Sequence, residues 1–223
     1  MTARTSRSSA KDPGSGRPRA WQRMLSGRRL DLVNPSPLDI EIDDIAHGLS
    51  RVARWNGQTY GEWPFSVAQH ALLVEHIAGK LRTSTPKRWR LAILLHDAPE
   101  YVLGDLITPF KAAMDTDYKQ LENRLETAIL LRFGLPGELP DWVRRLCKRA
   151  DTAAAYLEGT QLAGFDPDEA KQIFGRPREL RRISADADLT PCPPQEAKRR
   201  FLARFAELAP PVYHPTRRAT RSA

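Results

Sequence analysis

The stretch PKRWRLAILLHDAPEYVL, residues 86–103, decides how this chain is read. Pro86 suits the first turn of a helix, where a missing N–H leaves nothing unpaired. Leu91, Ala92, Ile93, Leu94 and Leu95 then form an apolar run that ends on His96-Asp97, and Gly104 stops the helix. Burying an ionised carboxylate is costly unless it is paired or binds a metal. A His and an Asp side by side at the end of an apolar run therefore point to a site.

Working outward, the neighbouring segments are also helical. Residues 66–82 place Val67, His70, Ala71, Val74, Ile77 and Ala78 on one face, with Ser66 as N-cap. Taken alone, a histidine on such a face is more often a core residue than a ligand. Residues 116–133 carry the stripe Tyr118, Leu121, Leu125, Ile129 and Phe133. Residues 139–163 form another helix, in which Asp151 lies among Leu146, Ala150, Ala154 and Leu157 and needs a partner. A short helix is predicted near 43–53 with Asp43 as cap, and Arg54-Trp55-Asn56-Gly57 falls on the loop that follows. Between 164 and 192 there is room for one short helix, and 193–208 form the last. No strand-rich stretch or repeat stands out, so the fold class is all-α.

Composition bounds the rest. The chain has 223 residues, of which 41% are hydrophobic, enough for one sizeable core. The helical domain is expected over 30–209, between a disordered basic tail at 1–29 and a flexible basic tail at 210–223. The net charge is +8, but residues 1–29 carry +7 and 214–223 carry +3, leaving −2 for the body. Basicity confined to tails makes nucleic acid an unlikely partner for the site. No apolar run reaches the roughly 18 residues of a membrane span, and the N-terminus lacks the apolar core of a signal peptide. Cys147 and Cys192 form no CxxC pattern, so a reducing cytoplasm is the expected setting. Without a GxxxxGK phosphate loop, ATP-driven chemistry is not suggested.

His70, His96, Asp97 and Asp151 together make a four-ligand set of two imidazoles and two carboxylates. Such mixed ligation suits a divalent cation, Mn, Fe, Co, Ni, Zn or Mg, and leaves positions for water and a phosphate. The order of these residues resembles the H…HD…D pattern of the HD-domain superfamily of metal phosphohydrolases. The runs HDAPEYVLGDLITPFK (96–111), SVAQH (66–70) and KRADTAAAYLEG (148–159) narrow the resemblance to the bacterial HD-type 5′-deoxynucleotidases. Arg54-Trp55 precedes the first His at about the distance of that family's substrate-binding Arg-Trp pair.

The resemblance implies an HD-domain helical bundle and a role for each matched position. Glu100, four residues after His96, would share its helical face and act as general acid/base near the attacking water. Asp105 would contact the sugar and help hold that water. Arg54 would grip the phosphate, Trp55 would pack against sugar or base, and Lys111 would neutralise phosphate. Each also has a plainer reading: a turn aspartate, a loop cation with a hydrophobic plug, a surface lysine. Gln69 departs from the Glu common before the first His. His47, His76 and His214 are read as non-ligands.

The implied activity is hydrolysis of the phosphomonoester of a nucleotide, a deoxynucleoside 5′-monophosphate first. The alternatives are a triphosphohydrolase of the same fold, a metal- or nucleic-acid-binding module without turnover, and a plain bundle with no site. The implied partner is a small-molecule nucleotide, with no membrane, and a homodimer is open because bundles of this size often dimerise.

Overall fold

A computed structural model describes residues 20–106 and 116–211. Lys111, Thr108 and Pro109, and the greater part of both basic tails, lie outside the described residues. Among the described residues the chain forms nine α-helices and one two-stranded sheet. None of these helices is long and apolar enough to cross a membrane.

The first correction comes at the N-terminal edge. Strands β1 (Trp21–Arg23) and β2 (Arg29–Asp31) pair antiparallel, with Trp21 opposite Asp31 and Arg23 opposite Arg29. Residues 20–29 are thus part of the folded body, although their composition reads as tail. Leu30 is fully buried and anchors the hairpin, while Arg29 stacks on Trp21 at 4.4 Å. The turn is tied down by Ser26 N–H donating to Asp44 Oδ1 at 2.9 Å.

Helix α1 (Ile42–Leu49) starts at Glu41 rather than at Asp43. Gly48 lets it lie directly on the backbone at Tyr101, since a Cβ there would sit 2.6 Å from the Tyr101 carbonyl oxygen. Helix α2 (Val67–Leu81) begins as expected at Ser66, which forms a capping box with Gln69. Gln69 also donates through Nε2 to the Thr190 carbonyl at 2.8 Å, a bond that a glutamate could not make.

The expected single helix over 86–103 is two. Helix α3 (Lys87–Leu94) ends at Leu95, and α4 (Glu100–Leu103) starts after Pro99. Pro99 has no N–H, and its ring would meet the carbonyl four residues back. The chain between turns through tight bonds, Ala98 N–H to Leu95 O at 3.0 Å and Glu100 N–H to Asp97 O at 3.0 Å. His96 and Asp97 therefore sit on a turn between helices.

Helices α5 (Thr116–Arg132), α6 (Asp141–Gln161) and α9 (Pro194–Leu208) agree with expectation to within a few residues. The segment expected to hold one short helix holds two, α7 (Pro167–Phe174) and α8 (Leu180–Ser184). Asp166 caps α7 by accepting from the N–H groups of Asp168 and Glu169.

Helix α2 is the central strut. Its Val67, Ala68 and Ala71 join a core with Ile45, Leu94, Ile129 and Phe201. Its Leu73, Val74, Ile77 and Ala78 join a second core with Ile93, Val143, Leu157 and Ile183. A helix apolar on both sides is buried all round. That is why His70 is fully buried. Glu75, also on α2 and nearly buried, is held by Arg90 Nε at 2.5 Å and by Arg204 Nη2 at 2.8 Å, linking α2 to α3 and α9.

Candidate metal centre

The fold brings His70 from α2, His96 and Asp97 from the turn after α3, and Asp151 from α6 to one place. One ligand atom each from His70, His96 and Asp97 falls within 4.8 Å of the other two. Asp97 Oδ2 lies 3.3 Å from His70 Nε2 and 3.2 Å from His96 Nε2. Asp151 stands outside that compact trio, yet its Oδ1 is 3.4 Å from His70 Nε2.

Both imidazoles are held from behind. His96 Nδ1 is 3.0 Å from the Ile93 carbonyl, which can only accept, so Nδ1 carries the proton. His70 Nδ1 is 2.5 Å from Glu158 Oε1, and again the proton belongs between them. Both Nε2 lone pairs thus turn inward, and both Nε2 atoms are buried without a hydrogen-bond partner. Two orphaned imidazole nitrogens facing carboxylates fit a divalent cation of the mixed N/O kind.

The same Glu158 organises a second group of residues. Its Oε2 accepts from Trp55 Nε1 at 3.0 Å and from Arg54 Nε at 3.3 Å. Arg54 Nη1 in turn donates to Asp105 Oδ2 at 2.9 Å. The loop that carries Arg54 is closed at its base by Arg54 N–H to Phe65 O, 2.8 Å, and pinned by Tyr60 N–H to Leu162 O, 2.9 Å. Trp55 and Asn56 hold left-handed conformations, φ 57° and 51°, which cost energy for residues with a Cβ. The Trp55 ring packs on Phe165 at 5.4 Å and edge-on against Phe174 at 5.8 Å.

The charges agree with this geometry. Burial opposes the Arg54 charge, but Glu158, then Asp105, Asp97 and Glu100, outweigh it and push its pKa up. Burial and Arg54 also act against the charged form of His70, and Glu158, Asp151 and Asp97 overcome both, raising its pKa well above the ordinary value, so a cation would bind at Nε2 by displacing a proton. Burial would raise Glu158, yet His70 and Arg54 hold it below the usual carboxylate range. Burial, then Asp97, Asp151 and Glu126, push the Cys147 thiol up, so it stays protonated and is a poor ligand. Around one guanidinium the site thus gathers five carboxylates, an excess of negative charge that a cation would offset.

Of the residues singled out in the sequence, His70, His96, Asp97 and Asp151 meet here, and Arg54, Trp55 and Asp105 reach them through Glu158. Glu100 is 3% exposed. It opens α4, so the expectation that it shares a continuous helical face with His96 is corrected by the Pro99 break. His76 stands instead among Lys80, Glu75 and Asp186, and Lys111 lies outside the described residues. Glu158 is the residue that sequence reading passed over. The available signal was its position seven residues after Asp151, which puts both acids on one face of α6.

Residues 46–166, a little over half the chain, match the family described as 5′-deoxynucleotidase YfbR-like. An uncharacterized protein of Rhodobacter capsulatus is 55% identical over 186 residues, which cover 83% of this chain and 94% of that protein. The uncharacterized protein YfdR of Escherichia coli is 29% identical over 187 residues, 83% of this chain and 93% of YfdR. With its helical bundle and His/Asp cluster, the chain belongs to the YfbR-like 5′-deoxynucleotidase family of HD-domain phosphohydrolases.

Proposed function

We propose that the chain hydrolyses the phosphomonoester of deoxynucleoside 5′-monophosphates, with a divalent cation held by His70, His96, Asp97 and Asp151. One observation carries this reading. A single buried carboxylate, Glu158, binds His70 through one oxygen and Arg54 through the other, which holds the His/Asp cluster beside a guanidinium. Cation and guanidinium together are what a phosphate dianion requires.

The bound cation would supply positive charge for the phosphoryl oxygens and acidity for water. Arg54, held by Asp105 and Glu158, would grip the phosphate and stabilise the charge it gains in the transition state. Trp55, engaged by Glu158 and two phenylalanines, would wall the pocket and set the angle of Arg54. Glu100 would take a proton from the attacking water as its oxygen bonds to phosphorus. That proton would pass to the leaving 5′ oxygen as the P–O bond breaks, giving a nucleoside and inorganic phosphate.

Chromatography of products from nucleoside mono-, di- and triphosphates, each with Mn, Co and Mg, tests the proposal. Inorganic phosphate and deoxynucleoside from monophosphates is the expected result. Release of triphosphate from nucleoside triphosphates would replace it with a triphosphohydrolase reading, and no turnover with any metal would end it.

A further inference from the structure

Along α6 and the connector between α7 and α8 lies a cleft of about 490 Å³. Arg145, Lys148 and Arg149 line it from α6, and Arg176 and Arg178 from the connector between α7 and α8. Its floor is apolar, built from Leu81, Ala153 and Ile183. Its one acid, Glu179, is already paired with Arg182 at 2.9 Å. Among the described residues no carboxylate pairs with Arg145, Arg149, Arg176 or Arg178. Several arginines elsewhere are neutralised, Arg28 by Glu41, Arg90 and Arg204 by Glu75, Arg199 and Arg200 by Glu196, and others donate to a carbonyl or stack on an indole, as Arg51 and Arg82 do. Five cations around one concavity repel one another, and an anion seated among them would relieve that repulsion.

We infer that this cleft is a second binding site, for the oligophosphate group of a nucleoside triphosphate. The number of cations selects the ligand class. A phosphomonoester carries about two negative charges near neutral pH and a triphosphate roughly four, and only the latter matches four unpaired guanidinium groups. The apolar floor offers a surface for a base or sugar, and the volume is that of an ordinary small-molecule site.

Two residues border both this cleft and the metal centre. Lys148 lines the cleft and donates to Asp151 Oδ2 at 3.0 Å. Phe174 lines it and packs edge-on against Trp55 at 5.8 Å. An occupant that draws Lys148 toward phosphate would weaken its bond to Asp151, so occupancy would alter turnover at the metal centre. This last step rests on the proposed phosphatase activity, whereas binding does not.

The test is calorimetry on the full chain in EDTA, which prevents turnover, with inorganic triphosphate and a nucleoside triphosphate as probes. Saturable one-to-one binding is expected, tighter for the nucleotide, and weakened roughly tenfold or more in the Arg149→Ala/Arg176→Ala double variant. A Lys87→Ala/Lys119→Ala control should bind as the parent does, and so should Arg54→Ala. Equal weakening in both double variants would mean diffuse surface charge and overturn the site. Loss in Arg54→Ala would move the binding to the metal centre and overturn it equally. Single-stranded nucleic acid binding more tightly, and lost in the same double variant, would replace the nucleotide by a polymer. If binding holds and monophosphate turnover is unchanged by a saturating triphosphate, the coupling is refuted and the site stands. If no substrate turns over at all, the phosphatase reading fails and the calorimetry still decides the cleft.

Discussion

His70 and Glu158 share a 2.5 Å hydrogen bond between Nδ1 and Oε1, although 88 residues separate them and both are fully buried. The bond sets the ring's orientation and leaves Nε2 as the nitrogen that faces Asp97 and Asp151. Carboxylates placed behind a ligating histidine commonly tune metal affinity by one to two orders of magnitude. Glu158→Gln is therefore expected to weaken metal binding about 10- to 100-fold and to lower kcat/KM as well. Metal titration by calorimetry checks this; unchanged affinity in the Gln variant would leave Glu158 as a purely structural acid.

His96→Ala and Asp151→Ala are each expected to lose both metal retention and turnover. The two outcomes need not be equal in size, because Asp151 stands outside the compact trio formed by His70, His96 and Asp97. Metal content after gel filtration, measured beside activity, decides the point. Full metal and full rate in either variant would remove that residue from the ligand set.

Glu100→Gln keeps the shape and the burial of the side chain and removes its capacity to accept a proton. A fall in kcat of roughly 10²- to 10⁴-fold with metal content unchanged is expected. Should the rate persist, another group handles the proton.

Arg54→Lys tests geometry rather than charge. A guanidinium can reach Asp105 and Glu158 at once, as Arg54 does at 2.9 and 3.3 Å, and still present a donor to phosphate. An ammonium offers no such planar fork. A loss of kcat/KM of at least about tenfold is expected, well beyond what a conservative exchange of cations would suggest. Steady-state kinetics on a monophosphate substrate that showed near-parental values would mean that charge alone suffices.

Away from the site, Glu75 joins three helices through Arg90 and Arg204. Glu75→Ala would leave two arginines, each about a quarter exposed at the side chain, without their shared anion. A loss of about 2–3 kcal/mol is expected, at the lower end for a broken buried pair because water still reaches both arginines. Urea denaturation of the two proteins measures it, and a change under about 0.5 kcal/mol would show that the network contributes little.

What could be read from the residues alone was whatever repeats over several turns. The helical register of Val67, Ala71, Val74 and Ile77 is long enough to define α2, and the same holds for α6 and α9. The hairpin escaped because each strand has three residues, too few for an alternation to show against a basic, glycine-containing background. The break at Pro99 was signalled by the proline itself, yet the apolar run before it carried the helix reading past its true end. The meeting of His70, His96, Asp97 and Asp151 was proposed from residue type and resemblance. The role of Glu158 was not, because nothing local distinguishes a buried glutamate in a helix from an exposed one. Its partners Arg54 and Trp55 lie more than 100 residues away, and only packing brings them together.

The all-round burial of α2 places a constraint on how this chain can change. A substitution at Ala71, Val74 or Ile77 shifts the backbone from which His70 projects, so core packing and cation affinity move together. Conversely, a cation that binds only the folded chain raises its resistance to unfolding in proportion to the logarithm of its concentration. Sequence drift in relatives should therefore collect on the exposed faces of α5, α7 and α9, while α2 stays nearly fixed for mechanical reasons as much as chemical ones.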